Sequence, residues 1–227
     1  MHILIIIVSL LALLIGPGLW VRRVMERYSE PNDRYSYSGA ETARQLLDSL
    51  DLTGVVVEET ENGDHYDPIE KAVRLTPSNY AGHSLTAVTV AAHEVGHAMQ
   101  DASGFTPLRL RTQLVKWVSP IEKTGALLLM ATPLIIGLTR APAAGLLMFL
   151  GGMLTLGSAV LVHMLTLPTE FDASFGRALP LLAKLKILKE VDQPHARRLL
   201  KAAAMTYVSA SLMSLLNIAR WWAILRR

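Results

Sequence analysis

The sequence predicts a mainly α-helical membrane protein: transmembrane helices joined to a small α+β domain that carries a β-hairpin. Hydrophobic residues fill 51% of the 227 positions and charged residues 18%, against roughly 25% charged in soluble domains. The shortage of charge is local, confined to three or four long stretches. Between them lie polar segments with helix caps and turn signals, and the longest of these holds two histidines one helical turn apart.

Residues Ile3 to Trp20 carry no charge, and at 1.5 Å per residue they would span roughly 27 Å, close to a hydrocarbon core. A cleaved signal peptide places its basic residues before the apolar run. Here Arg22, Arg23 and Arg27 follow it, and Gly16-Pro17-Gly18-Leu19-Trp20 is a poor cleavage site. Segment 3–21 therefore reads as an uncleaved N-terminal transmembrane anchor.

Residues 28–120 form the polar part, expected to be cytoplasmic. Ser38 with Glu41 three positions on is a capping box, and Ala43, Leu46, Leu47 and Leu50 fall on one face of the helix that follows. Val55 to Glu58 reads as a strand, Glu61-Asn62-Gly63-Asp64 as a turn, and Ala72 to Leu75 as the second strand of a hairpin. A helix runs from about Ser84 to Gln100, closed before Ser103-Gly104.

Segment 124–167 reads as a transmembrane hairpin. Its arms are Thr124–Thr139, which contains Pro133, and Gly145–Leu167, joined through Arg140-Ala141-Pro142. Leu167-Pro168 is expected to break the second arm. Segment 168–201 is basic and polar, and 202–225 is a final membrane helix interrupted by Asn217 and Arg220. Lys and Arg cluster after the first stretch and in 168–201, which places both on the cytoplasmic side.

Cysteine is absent, which excludes a disulfide framework, a Cys-ligated zinc ribbon and a thiol nucleophile. A net charge of +3 with scattered Lys and Arg gives no footprint for nucleic acid.

The chemistry lies in Ala91-Ala92-His93-Glu94-Val95-Gly96-His97-Ala98, an H-E-x-x-H motif on a predicted helix. Residues four apart share a helical face, so two imidazoles can grip one Zn²⁺. Glu94, about 100° further round, is displaced from that face and suited to take a proton from water. The surrounding domain is accordingly expected to be zincin-like. A catalytic zinc wants a third protein ligand. The candidates downstream are His163, Glu170, Asp172, Glu190, Asp192 and His195. Glu170 leads, because two crossings return it to the side of His93.

These features resemble the YugP-like neutral zinc metallopeptidases of bacterial membranes, themselves similar to the HtpX-like peptidases. The resemblance is carried by Asp64-His65-Tyr66-Asp67-Pro68, the His93 motif, Pro107-Leu108-Arg109-Leu110-Arg111, Leu167-Pro168-Thr169-Glu170-Phe171-Asp172-Ala173-Ser174 and Ala203-Ala204-Met205-Thr206-Tyr207-Val208. It implies Glu170 as the third ligand and a gluzincin-type metalloendopeptidase in the bacterial inner membrane. That protein would be multi-pass, with its site facing the cytoplasm, and would act on membrane-associated protein or peptide substrates. Where the HtpX-like pattern has Asp four residues after the ligand, this chain has Ser174. Ser174 and Asp172 are candidate supports for the metal ligands. Tyr207 and His65 are candidate substrate or oxyanion contacts, though Tyr207 also suits an interface anchor and His65 a turn flank. The rivals are an intramembrane metalloprotease, a non-catalytic metal-binding or scaffold protein, and a zinc hydrolase of a non-peptide bond.

Overall fold

A computed structural model describes residues 2–206 and 208. Helix α1 (His2–Tyr28) is followed by α2 (Gly39–Asp48), strands β1 (Val56–Glu59), β2 (His65–Asp67) and β3 (Ala72–Leu75), and a short α3 (Pro77–Tyr80). Then come α4 (Leu85–Ala102), α5 (Thr106–Thr139) and α6 (Pro142–Phe171). A π-helix (Asp172–Ala178) continues α6 and leads into α7 (Leu179–Lys184). A 3₁₀ turn at Glu190–Asp192 opens a helical run through residues 193–206.

The chain divides into two compact units. One holds Gly18–Arg109 and Leu167–Thr206; the other includes the chain up to Pro17 and Leu110–Thr166. In the second unit α5 and α6 run antiparallel, with Ile136 against Gly145 and Leu129 against Gly152.

The first unit is built around α4. Ser84 caps its start by accepting from the Ala87 N–H. Its end is a Schellman motif: the Phe105 N–H donates to the Gln100 carbonyl and the Gly104 N–H to that of Asp101, with Gly104 at φ +65°. Fifteen of its 18 residues are buried, so it is enclosed on every side, as a helix apolar or small all round must be. It packs against α2, α3, β2, β3, the π-helix and α7. Leu46 and Leu47 of α2, Val73 and Leu75 of β3, Val88 and Val95 of α4, Leu182 of α7, and Leu199 and Leu200 share one core. Each buried Leu or Val contributes about 1.5–3 kcal/mol. The capping box of α2 forms as its sequence predicts, with Ser38 and Glu41 exchanging hydrogen bonds.

Four expectations need correction. The fold is mostly helical with a small sheet, but among the described residues no helix is long and apolar enough to cross a membrane. The transmembrane part of the expected fold class is overturned. Freedom from charge in part of a segment does not make its helix apolar: α5, the first arm of the expected hairpin, opens with Arg109, Arg111 and Lys116. The multi-pass inner-membrane location with a cytoplasm-facing site rested on counting crossings, and it falls with them. The hairpin is also differently made. β1 pairs with β3 in parallel, and the antiparallel partner of β3 is β2, giving the order β1-β3-β2. The three-residue β2, with His65 and Asp67 around one buried Tyr66, is too short and polar to stand out by alternation. Finally, Pro168 does not break α6, which runs to Phe171. The final apolar stretch 202–225, apart from residues 202–206 and 208, lies outside the described residues.

Candidate metal centre

His93 and His97 project from consecutive turns of α4, and Glu170 arrives from the last turn of α6. All three are buried, at 5%, 4% and 1% exposure. One Glu170 carboxylate oxygen, Oε2, lies 3.2 Å from His93 Nε2 and 3.4 Å from His97 Nε2. One ligand atom from each of the three residues falls within 4.8 Å of the others, a group that could hold a metal ion. Two zinc ligands at tetrahedral angles and bond lengths near 2.0–2.1 Å stand roughly 3.3 Å apart. The observed separations match that edge, and two imidazoles with a carboxylate are a donor set zinc takes readily. Burial alone would raise the Glu170 carboxyl, but the charge and hydrogen bonding of His97 and His93 hold it well below the usual carboxylate range.

The approach of the two backbones depends on Gly96. A Cβ there would meet the Ala173 carbonyl oxygen at 2.5 Å, closer than nonbonded atoms tolerate. Glycine at this point lets the π-helix lie directly on α4.

The far nitrogen of each imidazole is also engaged. His93 Nδ1 lies 3.0 Å from Ser174 Oγ, and that hydroxyl donates to the Leu200 carbonyl at 3.3 Å. The hydroxyl proton is thus committed, so Ser174 accepts from His93 Nδ1–H. His97 Nδ1 lies 2.9 Å from Gln100 Oε1. The Gln100 amide nitrogen donates to the Thr169 carbonyl (2.7 Å) and to Asp172 (2.9 Å), and Arg177 Nε donates to the same Asp172 oxygen at 2.7 Å. Burial works to raise the Asp172 carboxyl, but Arg177 and Gln100 bring it below the ordinary range.

The structure therefore gathers His93, His97, Glu170, Ser174 and Asp172 in one place, with Glu94 buried beside them on α4. His65 Nδ1 instead bonds the Gly63 carbonyl in the turn before β2. Asp192 is taken up by Arg34 and Tyr35, and His195 by Tyr28. Tyr207 lies outside the described residues. Sequence reasoning missed Gln100. Its position three residues after His97, on the same helical face, was the signal that could have found it.

Comparison with known proteins agrees with this geometry. The family described as "Putative neutral zinc metallopeptidase" matches residues 2–226. The chain belongs to that family. Among its relatives, a Bacillus subtilis (strain 168) protein described as "Putative membrane protease YugP" is 34% identical over 213 residues, 91% of each chain. No solved structure gives a significant match. In metallopeptidase terms, the buried His93–His97–Glu170 group is the place in the described residues where zinc fits.

Proposed function

We propose that this chain is a gluzincin-type zinc endopeptidase, with the metal held by His93, His97 and Glu170 and proton transfer carried out by Glu94. The observation that carries this reading is the placement of Glu170 Oε2 at 3.2 and 3.4 Å from the two imidazole nitrogens. Zinc held by these three residues supplies a Lewis acid that brings the pKa of a bound water down to roughly 7 and polarises a peptide carbonyl.

The protein's own side chains do the rest. Ser174 and the side-chain amide oxygen of Gln100 hold the imidazole rings so that both Nε2 atoms face Glu170. Glu94 follows His93 directly and is buried at 5% exposure. It takes a proton from the attacking water and returns it to the departing amine, as a carboxylate general base and then acid. The substrates are peptides or proteins.

Three proteins decide the matter. Wild type should contain one zinc and cleave a generic unfolded protein such as casein. Glu94→Gln should keep the zinc and lose turnover by at least a hundredfold. Glu170→Ala should lose both. Zinc retained at full stoichiometry in Glu170→Ala removes that residue from the ligand set. Undiminished cleavage by Glu94→Gln removes Glu94 from the chemistry.

A further inference from the structure

The bonding around His97 leaves one self-consistent arrangement of protons. Two of the atoms around the Gln100 amide, the Thr169 carbonyl oxygen and Asp172 Oδ2, only accept hydrogen bonds. The amide nitrogen is the one Gln100 group with two protons to give, so it faces them. The amide oxygen must then face His97 Nδ1, and an oxygen only accepts. His97 therefore carries a proton on Nδ1, and in the neutral ring Nε2 is the nitrogen whose lone pair can bind a metal.

Arg177 secures the start of this chain. It is always charged and donates to the same Asp172 oxygen that receives the Gln100 amide. Its guanidinium also lies over the Phe105 ring, 5.4 Å from the centroid. In an α-helix, residues five apart are turned about 140° from each other. The π-helix, whose hydrogen bonds run from i to i+5, brings Asp172 and Arg177 onto one side. The Leu179 N–H donating to the Ser174 carbonyl is one such bond.

We propose that Gln100, oriented by the Asp172–Arg177 pair, is a positioning residue that fixes the His97 tautomer and thereby sets the zinc affinity of the site. This rests on the His93–His97–Glu170 reading above. Gln100 touches neither substrate nor metal. Its fully buried side chain acts only through His97.

The test is zinc affinity of the full chain, measured by competition with a fluorescent zinc chelator, beside the unfolding temperature of the metal-free protein. Gln100→Ala and Asp172→Asn should each weaken zinc binding, by about 10–100-fold for Gln100→Ala, the range seen when a ligand's outer hydrogen-bond partner is removed. Gln100→Glu sets a carboxylate against Asp172 and should also weaken it. A purely structural role would lower the unfolding temperature and leave zinc affinity within twofold of wild type, which overturns the proposal. Failure of wild type to bind stoichiometric zinc brings down the metal reading itself, and this inference with it.

Discussion

The Cα of Gly96 lies so close to Ala173 that a methyl group placed on it would sit 2.5 Å from the Ala173 carbonyl oxygen and 3.1 Å from its carbon. Backbone stands on both sides, so no side chain can swing away to make room. Gly96→Ala must push the π-helix off α4, and with it Ser174 and Glu170. Overpacking of this kind costs about 1–3 kcal/mol. The expected result is a lower unfolding temperature together with at least tenfold weaker zinc binding. A Gly96→Ala protein that binds zinc like wild type would show that the two helices are not in contact here.

Ser174 replaces the carboxylate of the HtpX-like pattern, yet its hydroxyl meets His93 Nδ1 at 3.0 Å. Ser174→Ala leaves that N–H buried without a partner, at a cost of about 1–3 kcal/mol. Zinc affinity should fall by about 10–100-fold while Glu94-dependent turnover per bound zinc changes little. Unchanged affinity by chelator competition would assign the His93 bond no part in metal binding.

Removing the metal should both silence and loosen the protein. A ligand present at a hundred times its Kd stabilises the folded state by about 2.7 kcal/mol. Treatment with 1,10-phenanthroline should therefore abolish cleavage and lower the unfolding temperature by several degrees, with both restored by zinc and not by magnesium. Cleavage that survives complete zinc removal, verified by elemental analysis, would rule out zinc chemistry.

Outside the metal group, Asp192 is fully buried and bonded by Arg34 and Tyr35. The hydrogen bond from Arg34, joined by that from Tyr35, outweighs burial and holds its carboxyl below the ordinary value of 3.8. A carboxyl depressed in the folded state adds stability above its unfolded pKa and gives it up as pH falls through its folded value. Asp192→Asn should lose about 1.5–3 kcal/mol at pH 7, and the gap from wild type should close below pH 3.8. Urea unfolding at a series of pH values measures this; a gap that stays constant down to pH 2 would contradict it.

Much of the local structure was legible because its causes are local. The Ser38–Glu41 capping box, the Ser84 start of α4 and its Gly104 stop follow from hydrogen bonds within a few residues. The His93–His97 pair was readable for the same reason, since helical spacing alone aligns it. The β1–β3 pairing was not, because a parallel partner is chosen by the surrounding packing and β2 is only three residues long. The membrane spans were over-read. They rest on local freedom from charge, whereas among the described residues no helix is long and apolar enough to cross a membrane.

By itself, then, the sequence determined that two imidazoles and the Glu94 carboxylate share one helix, with the imidazoles one 3.6-residue turn apart on one face. It also singled out Glu170 as the leading third ligand. Only the tertiary structure decided how Glu170, 73 residues beyond His97, comes within 3.4 Å of it. Only the fold decided, too, that Gln100, Asp172 and Arg177 join in one bonded chain. Those contacts depend on a glycine allowing two backbones to touch and on a π-turn rotating the side chains. Both are consequences of packing between distant segments, which no local pattern encodes.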